Sequence, residues 1–143
     1  MIKGLGHLAI RARDMEVTAK FYREIAGFRE AFRMYNLEGG KLGCIYMYIA
    51  NGQFIEIFPD GEGEQSDNKT IGIKHICIEV DNAAGCLEEL RSRGAPIDTE
   101  LKTGFSKCIQ FWTHDPDGNK IEFMELPPES LQAQAIKRFA AEE

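Results

Sequence analysis

The sequence predicts an α+β fold made of two tandem β-α-β-β-β modules, because two features of the chain occur twice. A histidine opens a short apolar segment in each half, at His7 (HLAI) and at His75 (HICI). A glutamate then lies inside a second apolar segment, 49 residues later at Glu56 (FIEIF) and 47 residues later at Glu122 (KIEFM). A pattern repeated at nearly constant spacing indicates an internal duplication in which both halves fold alike.

A helix is expected after the first strand of each half. Apolar residues recur at helical spacing from Asp14 to Gly27 and from Asp81 to Gly94, and in both cases these ends are 13 positions apart. Acidic residues are favoured N-caps, and glycine commonly follows the last helical turn. We therefore predict that Asp14 and Asp81 cap the two helices and that each helix ends near its glycine.

Three strands are expected after each helix, because the segments there are rich in aromatic and β-branched residues. They are predicted at residues 28–34, 44–50 and 53–58 in the first half and at residues 96–101, 107–113 and 120–125 in the second. Asn51-Gly52 is a strong hairpin signal, and the turn-forming residues from Asp115 to Asn119 occupy the same place in the second half. Each half thus has the order β-α-β-β-β.

The chain is expected to form a single domain over residues 1–143. The polar, glycine-rich segment from Asp60 to Thr70 is predicted to link a module of about residues 4–60 to a module of about residues 72–126. After two prolines, a helix capped by Ser130 is expected at about residues 130–142. Its apolar stripe is expected to pack on the body of the protein or on a partner subunit. The stripe consists of Leu131, Ala135, Ile136 and Phe139.

The composition argues against several classes of partner. The net charge of −6 does not suit a surface that neutralises phosphates, so nucleic acid is not an expected partner. No apolar run approaches the ~18 residues of a membrane span, and the N-terminus lacks the charged-then-apolar pattern of a signal peptide. The four cysteines form no C-x-x-C pair, which is typical of small buried residues in a reducing compartment. These features predict a cytoplasmic protein without a membrane partner.

The two histidines and two glutamates of the repeat are each predicted on the strand face opposite the helix. Side chains alternate between the two faces of a strand. The isoleucines on either side of Glu56 suit the helix-packed face, so Glu56 lies on the other face with Phe54 and Phe58. The same alternation applies to the other three residues, which all lie opposite the apolar side of their strands.

This placement predicts a metal site. A carboxylate inside an apolar strand is costly to bury unless a cation compensates it. A near-twofold relation between the halves would bring two imidazoles and two carboxylates around one divalent ion, with no net formal charge. Structural zinc prefers a closed shell, often with sulfur, whereas this donor set leaves positions open, as catalytic sites do. The predicted ligands are His7, Glu56, His75 and Glu122, while His114 has no counterpart and is expected to have a structural role.

The chain resembles the vicinal oxygen chelate superfamily, which includes glyoxalase I, methylmalonyl-CoA epimerase, extradiol dioxygenases and proteins of fosfomycin and bleomycin resistance. The most specific marks are GHLAI followed by FY, KHICIEVD, and DPDGNKIEF, and the resemblance covers Gly4 to Leu126. It implies the glyoxalase/bleomycin resistance/dioxygenase fold, in which paired modules form a curled mixed sheet of eight strands around a metal cleft. The family's metal ligands fall on the four predicted positions.

The ligand order His, Glu, His, Glu is similar to that of short bacterial glyoxalase I (lactoylglutathione lyase). Methylmalonyl-CoA epimerases more typically have Gln at the position of Glu56. Arg11 matches an arginine that glyoxalase I uses to hold the glutamyl group of glutathione. Asp60 stands where glyoxalase I has a glutathione-binding Asn, and this added carboxylate argues against an anionic thiol conjugate as substrate.

The resemblance implies a lyase or isomerase that moves a proton next to a carbonyl through a metal-bound enediolate. The metal acts as a Lewis acid on the vicinal oxygens of a small-molecule substrate. Glu122 is the expected principal base, with Glu56 as the alternative. Phe54 and Phe58 are expected to form an apolar wall of the substrate site, although ordinary core packing explains them equally well.

Three alternative functions remain open. An extradiol dioxygenase would use His7, His75 and Glu122 as the facial triad for iron(II), and the extra carboxylate of Glu56 argues against it. A methylmalonyl-CoA epimerase-like enzyme would use the same site. A non-catalytic binding or resistance protein would not need a full ligand set.

The resemblance to short bacterial glyoxalases makes nickel or cobalt the first expected metal, while zinc, manganese and iron tolerate the same ligands. The family also favours a homodimer, so the site is expected either within one chain or shared across two.

Overall fold

The structure, a computed structural model, describes residues 1–36, 39–65 and 67–142. The parts of the predicted first module, linker and C-terminal segment that fall on residues 37, 38, 66 and 143 lie outside the described residues. The chain divides into two compact units. The first is Met1–Gln65 with Asp115–Gly118, and the second is Ser66–His114 with Asn119–Glu143.

The first unit contains a four-stranded mixed sheet with a helix on one face. Its elements are β1 (His7–Arg11), α1 (Met15–Lys20) continued by a π-helical segment (Phe21–Ile25), β2 (Arg29–Tyr35), β3 (Leu42–Tyr48) and β4 (Phe54–Phe58). The strand order is β1-β4-β3-β2, in which β1 is parallel to β4 and the other pairs are antiparallel. Because α1 packs on β3 and β4, Ile45, Met47, Ile55 and Ile57 are fully buried.

The second unit repeats this arrangement. Its elements are β5 (Ile76–Glu79), α2 (Ala83–Ser92), β6 (Ile97–Thr103), β7 (Ile109–His114), β8 (Lys120–Glu125) and α3 (Leu131–Ala140). The order β5-β8-β7-β6 has the same parallel and antiparallel pairs as the first sheet. Phe111, Ile121 and Phe123 are buried on the face that packs on α2. The predicted α+β class and the pair of β-α-β-β-β modules are therefore confirmed, with the eight strands divided into two sheets of four.

The helix caps agree with one prediction and correct another. Asp14 caps α1, because its carboxylate accepts the backbone N–H groups of Glu16 and Val17. The predicted cap at Asp81 is wrong, since Asn82 caps α2 by accepting the Gly85 N–H at 2.9 Å. The Asn82 amide has the same capping chemistry as an aspartate one residue earlier. The carboxylate of a distant strand residue, Glu125, accepts the N–H of Ala83 at 2.9 Å and so fixes the start of the helix.

The first predicted hairpin turn is confirmed. Asn51 and Gly52 have φ values of +50° and +75°, which a two-residue type I′ turn requires at both central positions.

The turn between β7 and β8 is part of the first unit. The hydroxyl of Tyr22 donates to the Asp115 carboxylate at 2.9 Å, and the hydroxyl of Thr18 donates to Asp117 at 3.0 Å. Within the turn itself, the N–H of Gly118 donates to the carbonyl of Asp115 at 2.9 Å. The DPDG motif therefore anchors α1 and its π-helical segment as well as reversing the chain.

The C-terminal helix α3 is capped by Ser130, which accepts the Ala133 N–H at 3.3 Å. Leu131, Ile136 and Phe139 of its stripe are each more than half exposed among the described residues. The described part of the body does not cover these three residues, and packing on a partner subunit stays a prediction. None of the helices formed by the described residues has the length and apolarity needed to cross a membrane.

Candidate metal and substrate site

His7 and Glu56 meet on the open face of the first sheet, meaning the face opposite its helix. His7 is the first residue of β1, and parallel pairing sets β1 beside β4 so that Ala9 lies opposite Glu56. The Nε2 atom of His7 is 3.4 Å from a carboxylate oxygen of Glu56, whose side chain is only 10% exposed. The imidazole is more accessible, with 48% of its side chain exposed.

His75 and Glu122 form the corresponding pair on the open face of the second sheet. His75 directly precedes β5, one residue earlier than the strand begins, and Cys77 of β5 pairs with Glu122 of β8. The Nε2 atom of His75 is 3.2 Å from the Glu122 carboxylate, which again is 10% exposed. The duplicated sequence thus produces a duplicated His–Glu pair.

An aromatic side chain holds each imidazole, and sequence reasoning missed both residues. Tyr46 lies opposite Glu56 and meets His7 edge-to-face at 5.8 Å between ring centroids. Trp112 lies opposite Glu122 and meets His75 edge-to-face at 4.8 Å. Each aromatic residue precedes its glutamate by ten positions, so a search for further matches between the halves could have found them.

The two carboxylates make their surroundings electronegative. The largest cause that raises the pKa of Tyr46 is a hydrogen bond to the Glu56 carboxylate. Burial, followed by the charge of Glu56, raises the pKa of Cys44. Partial desolvation, followed by the charge of Glu122, raises the pKa of the Cys77 thiol to about 12, although the residue is exposed. The surroundings of Glu56 and those of Glu122 both disfavour a further negative charge and therefore favour a cation.

The predicted substrate residues also lie in the first unit. The guanidinium of Arg11 donates to the carbonyl of Pro59 at 2.8 Å and lies 5.8 Å from the centroid of Phe58. Phe54 packs edge-to-face against Tyr48 at 5.3 Å and against Tyr46, the strand partner of Glu56, at 6.2 Å between ring centroids. Arg11 is thus held at the end of β4, on the carbonyl of Pro59. Asp60, the departure from the glyoxalase I pattern, forms an ion pair with Lys41 at 3.5 Å.

The nitrogen–oxygen separation within each His–Glu pair suits two ligands of one divalent ion. Two donors that are each about 2.1 Å from one ion lie about 3.0 Å apart at a right angle and about 3.4 Å apart at a tetrahedral angle. The observed separations of 3.4 and 3.2 Å fall within this range. An ordinary charge-assisted hydrogen bond is shorter, at about 2.7–2.9 Å, and His114 makes one with Asp98 at 2.8 Å.

Within the described ranges, no group of three or more His, Cys, Asp and Glu side chains is close enough to hold a metal ion. The structure brings together His7 with Glu56 and His75 with Glu122, each pair inside one unit. The four-ligand site shared by both pairs stays a prediction.

The profile of the Glyoxalase/Bleomycin resistance protein/Dioxygenase superfamily matches residues 4–123. The chain belongs to this superfamily. The resemblance of its motifs to the vicinal oxygen chelate proteins is thereby confirmed.

Within the superfamily, curated relatives include both lyases and epimerases. The chain is 30% identical over 119 residues to human mitochondrial methylmalonyl-CoA epimerase, a match that covers 79% of this chain and 67% of that protein. It is also 30% identical over 124 residues to lactoylglutathione lyase of Haemophilus influenzae, covering 83% of this chain and 90% of that protein. The chain spans about two thirds of the length of the mammalian epimerases that it matches.

Solved structures of the superfamily share the fold. The glyoxalase family protein from Enterococcus faecalis superposes with a TM-score of 0.72 at 24% identity, over 86% of this chain and 98% of that one. Lactoylglutathione lyase from Agrobacterium tumefaciens gives a TM-score of 0.65 at 17% identity, over 87% and 94% of the two chains. At these identities the likeness concerns the fold alone.

Proposed function

We propose that this protein is a metal-dependent lyase or isomerase of the glyoxalase I type, which moves a proton between neighbouring carbons beside a carbonyl. The observation that carries the proposal is the repeated His–Glu pair, with nitrogen–oxygen separations of 3.4 and 3.2 Å on the open faces of the two sheets. Membership of a superfamily whose curated relatives include lactoylglutathione lyases supports it.

A divalent ion would be held by His7, Glu56, His75 and Glu122. When bound, it would supply a Lewis acid that polarises the substrate carbonyl. Nickel or cobalt is the first candidate, and zinc, manganese and iron suit the same nitrogen and oxygen donors. The two pairs would meet either within one chain or across a homodimer, and the substrate would be a small molecule with vicinal oxygens.

The chain's own residues would then move the proton. Glu122 takes the proton from the hydroxyl-bearing carbon, the electrons of that C–H bond form a carbon–carbon double bond, and the carbonyl π electrons pass to the carbonyl oxygen. The same carboxylate then returns the proton to the former carbonyl carbon. The hydroxyl on the first carbon gives its proton to the former carbonyl oxygen, so that the first carbon becomes the new carbonyl. The low exposure of Glu122 keeps bulk water from the proton. Trp112 fixes the ring of His75 beside this carboxylate, and Tyr46 does the same for His7 in the first unit.

The experiment is an assay of the methylglyoxal–glutathione hemithioacetal with protein loaded separately with each candidate metal. Glu122→Gln should lower kcat by ~10²-fold or more, since general bases contribute about 10²–10⁴-fold, and should lose only part of the metal affinity. Glu100→Gln is the matched control, because Glu100 is exposed and pairs with Arg91. Full activity of Glu122→Gln would show that this carboxylate is not the base.

Epimerisation is a second candidate, favoured by the equal burial of Glu56 and Glu122, each of which is 7% exposed when the whole residue is counted. Two equivalent carboxylates suit a reaction in which one removes a proton and the other returns it on the opposite side. Methylmalonyl-CoA incubated in D₂O would then incorporate deuterium at the carbon next to the thioester. Deuterium uptake without hemithioacetal turnover would favour this candidate over the lyase.

A further inference from the structure

A pocket opens on the second sheet beyond the His75–Glu122 pair. It has a volume of about 340 Å³, and its lining consists of Lys102, Thr103, Gly104, Phe105 and Gln110. These residues come from the end of β6, the turn that follows it and the start of β7. The proposed proton transfer does not use any of them.

The strand register places this pocket on the same face as Glu122. Trp112 pairs with Glu122, Gln110 pairs with Met124, and Lys102 pairs with Gln110. Paired residues project to the same side of a sheet, so Lys102 and Gln110 share the open face with Glu122. Standard spacings of about 3.4 Å per residue and about 4.8 Å per strand put the Cα atoms of Lys102 and Glu122 roughly 12 Å apart. A ligand of several carbon atoms can span that separation once both side chains extend towards it.

A chain of contacts joins the pocket wall to His75. Gln110 donates from Nε2 to the sulfur of Cys108 at 3.3 Å and accepts at Oε1 from the indole N–H of Trp112 at 2.7 Å. Trp112 in turn packs edge-to-face on His75. Gly104 leaves room for this amide, since a Cβ there would lie 2.3 Å from Gln110 Nε2. The amide is therefore held in one orientation between the pocket and the imidazole.

Lys102 supplies an unused positive charge. Its ammonium group has no hydrogen bond or ion pair with the residues that the structure describes, although the chain carries a net charge of −6. Some lysines have partners, such as Lys41 with Asp60 and Lys120 with Asn68. Others, such as Lys137 of α3, resemble Lys102 in having none among the described residues. An ammonium group at the lining of a pocket is suited to bind the oxygens of an anion.

We propose that Lys102 is a specificity-determining residue that binds an anionic oxygen group, carboxylate or phosphate, on the part of the substrate remote from its vicinal oxygens. The inference rests on the proposed function, in which the vicinal oxygens bind beside His75 and Glu122. It assigns the substrate to a class of small acids that carry vicinal oxygens at one end and an anionic group several bonds away.

The anion subsite is tested first without metal. The ε-methylene NMR resonance of Lys102, assigned by its loss in Lys102→Met, is followed while the protein is titrated with acetate and, separately, with inorganic phosphate. A saturable shift at Lys102, absent at Lys137 of α3, is the expected result, and the tighter of the two anions identifies carboxylate or phosphate. Absence of a saturable shift with both anions overturns the inference.

The second arm uses metal-loaded protein and calorimetric binding of 2-oxoglutarate and 2-oxopentanoate, which differ only in a distal carboxylate or methyl group. Wild type should bind 2-oxoglutarate at least ~10-fold more tightly, as expected for one charge-assisted hydrogen bond. Lys102→Met should abolish the preference, Lys102→Arg should keep part of it, and the control Lys137→Met should keep all of it. The pair 2-oxoadipate and 2-oxohexanoate repeats the comparison at a reach one carbon longer.

The two arms separate the subsite from the proposed reaction. Equal affinity of wild type for both members of each pair overturns the role of Lys102 and leaves the metal chemistry standing. A saturable shift at Lys102 in protein that binds no metal supports the anion subsite and removes the proposed function.

Discussion

Replacing Tyr22 by phenylalanine should destabilise the first unit, because it removes one buried hydroxyl. Tyr22 is fully buried in the π-helical segment and donates to the carboxylate of Asp115 at 2.9 Å. Burial, with the nearby charge of Asp115, raises the pKa of Tyr22, so the phenol keeps its proton and remains a donor at neutral pH. The variant leaves this carboxylate, itself 1% exposed, with one partner fewer.

The structure sets the size of the effect. A hydrogen bond to a charged group contributes about 1.5–3 kcal/mol, and Asp115 still accepts the Asp117 N–H at 3.0 Å in the variant. The lower part of that range is therefore expected, about 1.5–2 kcal/mol. For a chain of this size, a change of 1 kcal/mol lowers Tm by about 2–4 °C, so Tm should fall by roughly 3–8 °C.

The assay is urea unfolding followed by far-UV circular dichroism, with a thermal scan beside it. Tyr35→Phe is the matched control, since Tyr35 is 58% exposed and a surface change of this kind stays within about 0.5 kcal/mol. If Tyr22→Phe were as stable as Tyr35→Phe, the phenol would not be what holds the DPDG turn.

Two further predictions concern stability in the first unit. Gly61→Ala should destabilise the protein by about 1–3 kcal/mol in urea unfolding, because the new Cβ would lie 2.9 Å from the carbonyl carbon of Ala12. Gly6→Ala is the control: its Cβ would meet nothing within 4 Å, so the substitution should be tolerated. Arg33→Met should cost about 0.5–1 kcal/mol, because Arg33 lowers the pKa of Glu30 by a hydrogen bond. Because the pKa of Glu30 is lower in the folded protein, the ionised carboxylate stabilises the fold at pH values above its unfolded pKa of about 4.3. This stabilisation is lost as pH falls through the folded pKa, so the free energies of unfolding of variant and wild type should converge there. A difference between them that stays constant down to pH 2 would contradict this.

The repeated modules could be predicted because their signals are local. Asn51-Gly52 specifies its turn by the positive φ that both residues adopt readily. Gly27 and Gly94 adopt φ values of +80° and +86° at the ends of their helices, as glycine after a helix commonly does. The alternation of side chains between the two faces of β4 could be predicted in the same way, and Ile55 and Ile57 are indeed fully buried on either side of Glu56.

Other features depend on residues that are distant in sequence. The start of α2 is decided by Glu125, 42 positions away from Ala83, so the neighbouring Asp81 and Asn82 could not be distinguished locally. The role of the DPDG motif as an anchor for α1 depends on Tyr22, 93 positions from Asp115.

The sheet face on which Lys102 lies could not be predicted from the sequence for another reason. Strand β6 shifts register twice against β7, between Ile97 and Thr99 and again between Thr99 and Lys102. Each shift inserts an irregularity that breaks the simple alternation of side chains. Counting by twos along β6 from the sequence alone therefore does not give the face on which Lys102 lies.

The most direct test of the proposed metal site is the number of metal ions per chain after loading with Ni²⁺ and exhaustive dialysis, measured by mass spectrometry of the metal. If the imidazoles and carboxylates of both modules bind one shared ion, wild type retains one ion per chain, and His7→Ala or His75→Ala each reduces this to near zero, whereas His114→Ala retains it. Two ions per chain in wild type, with one lost on changing either His7 or His75, would mean two independent sites and would contradict the account.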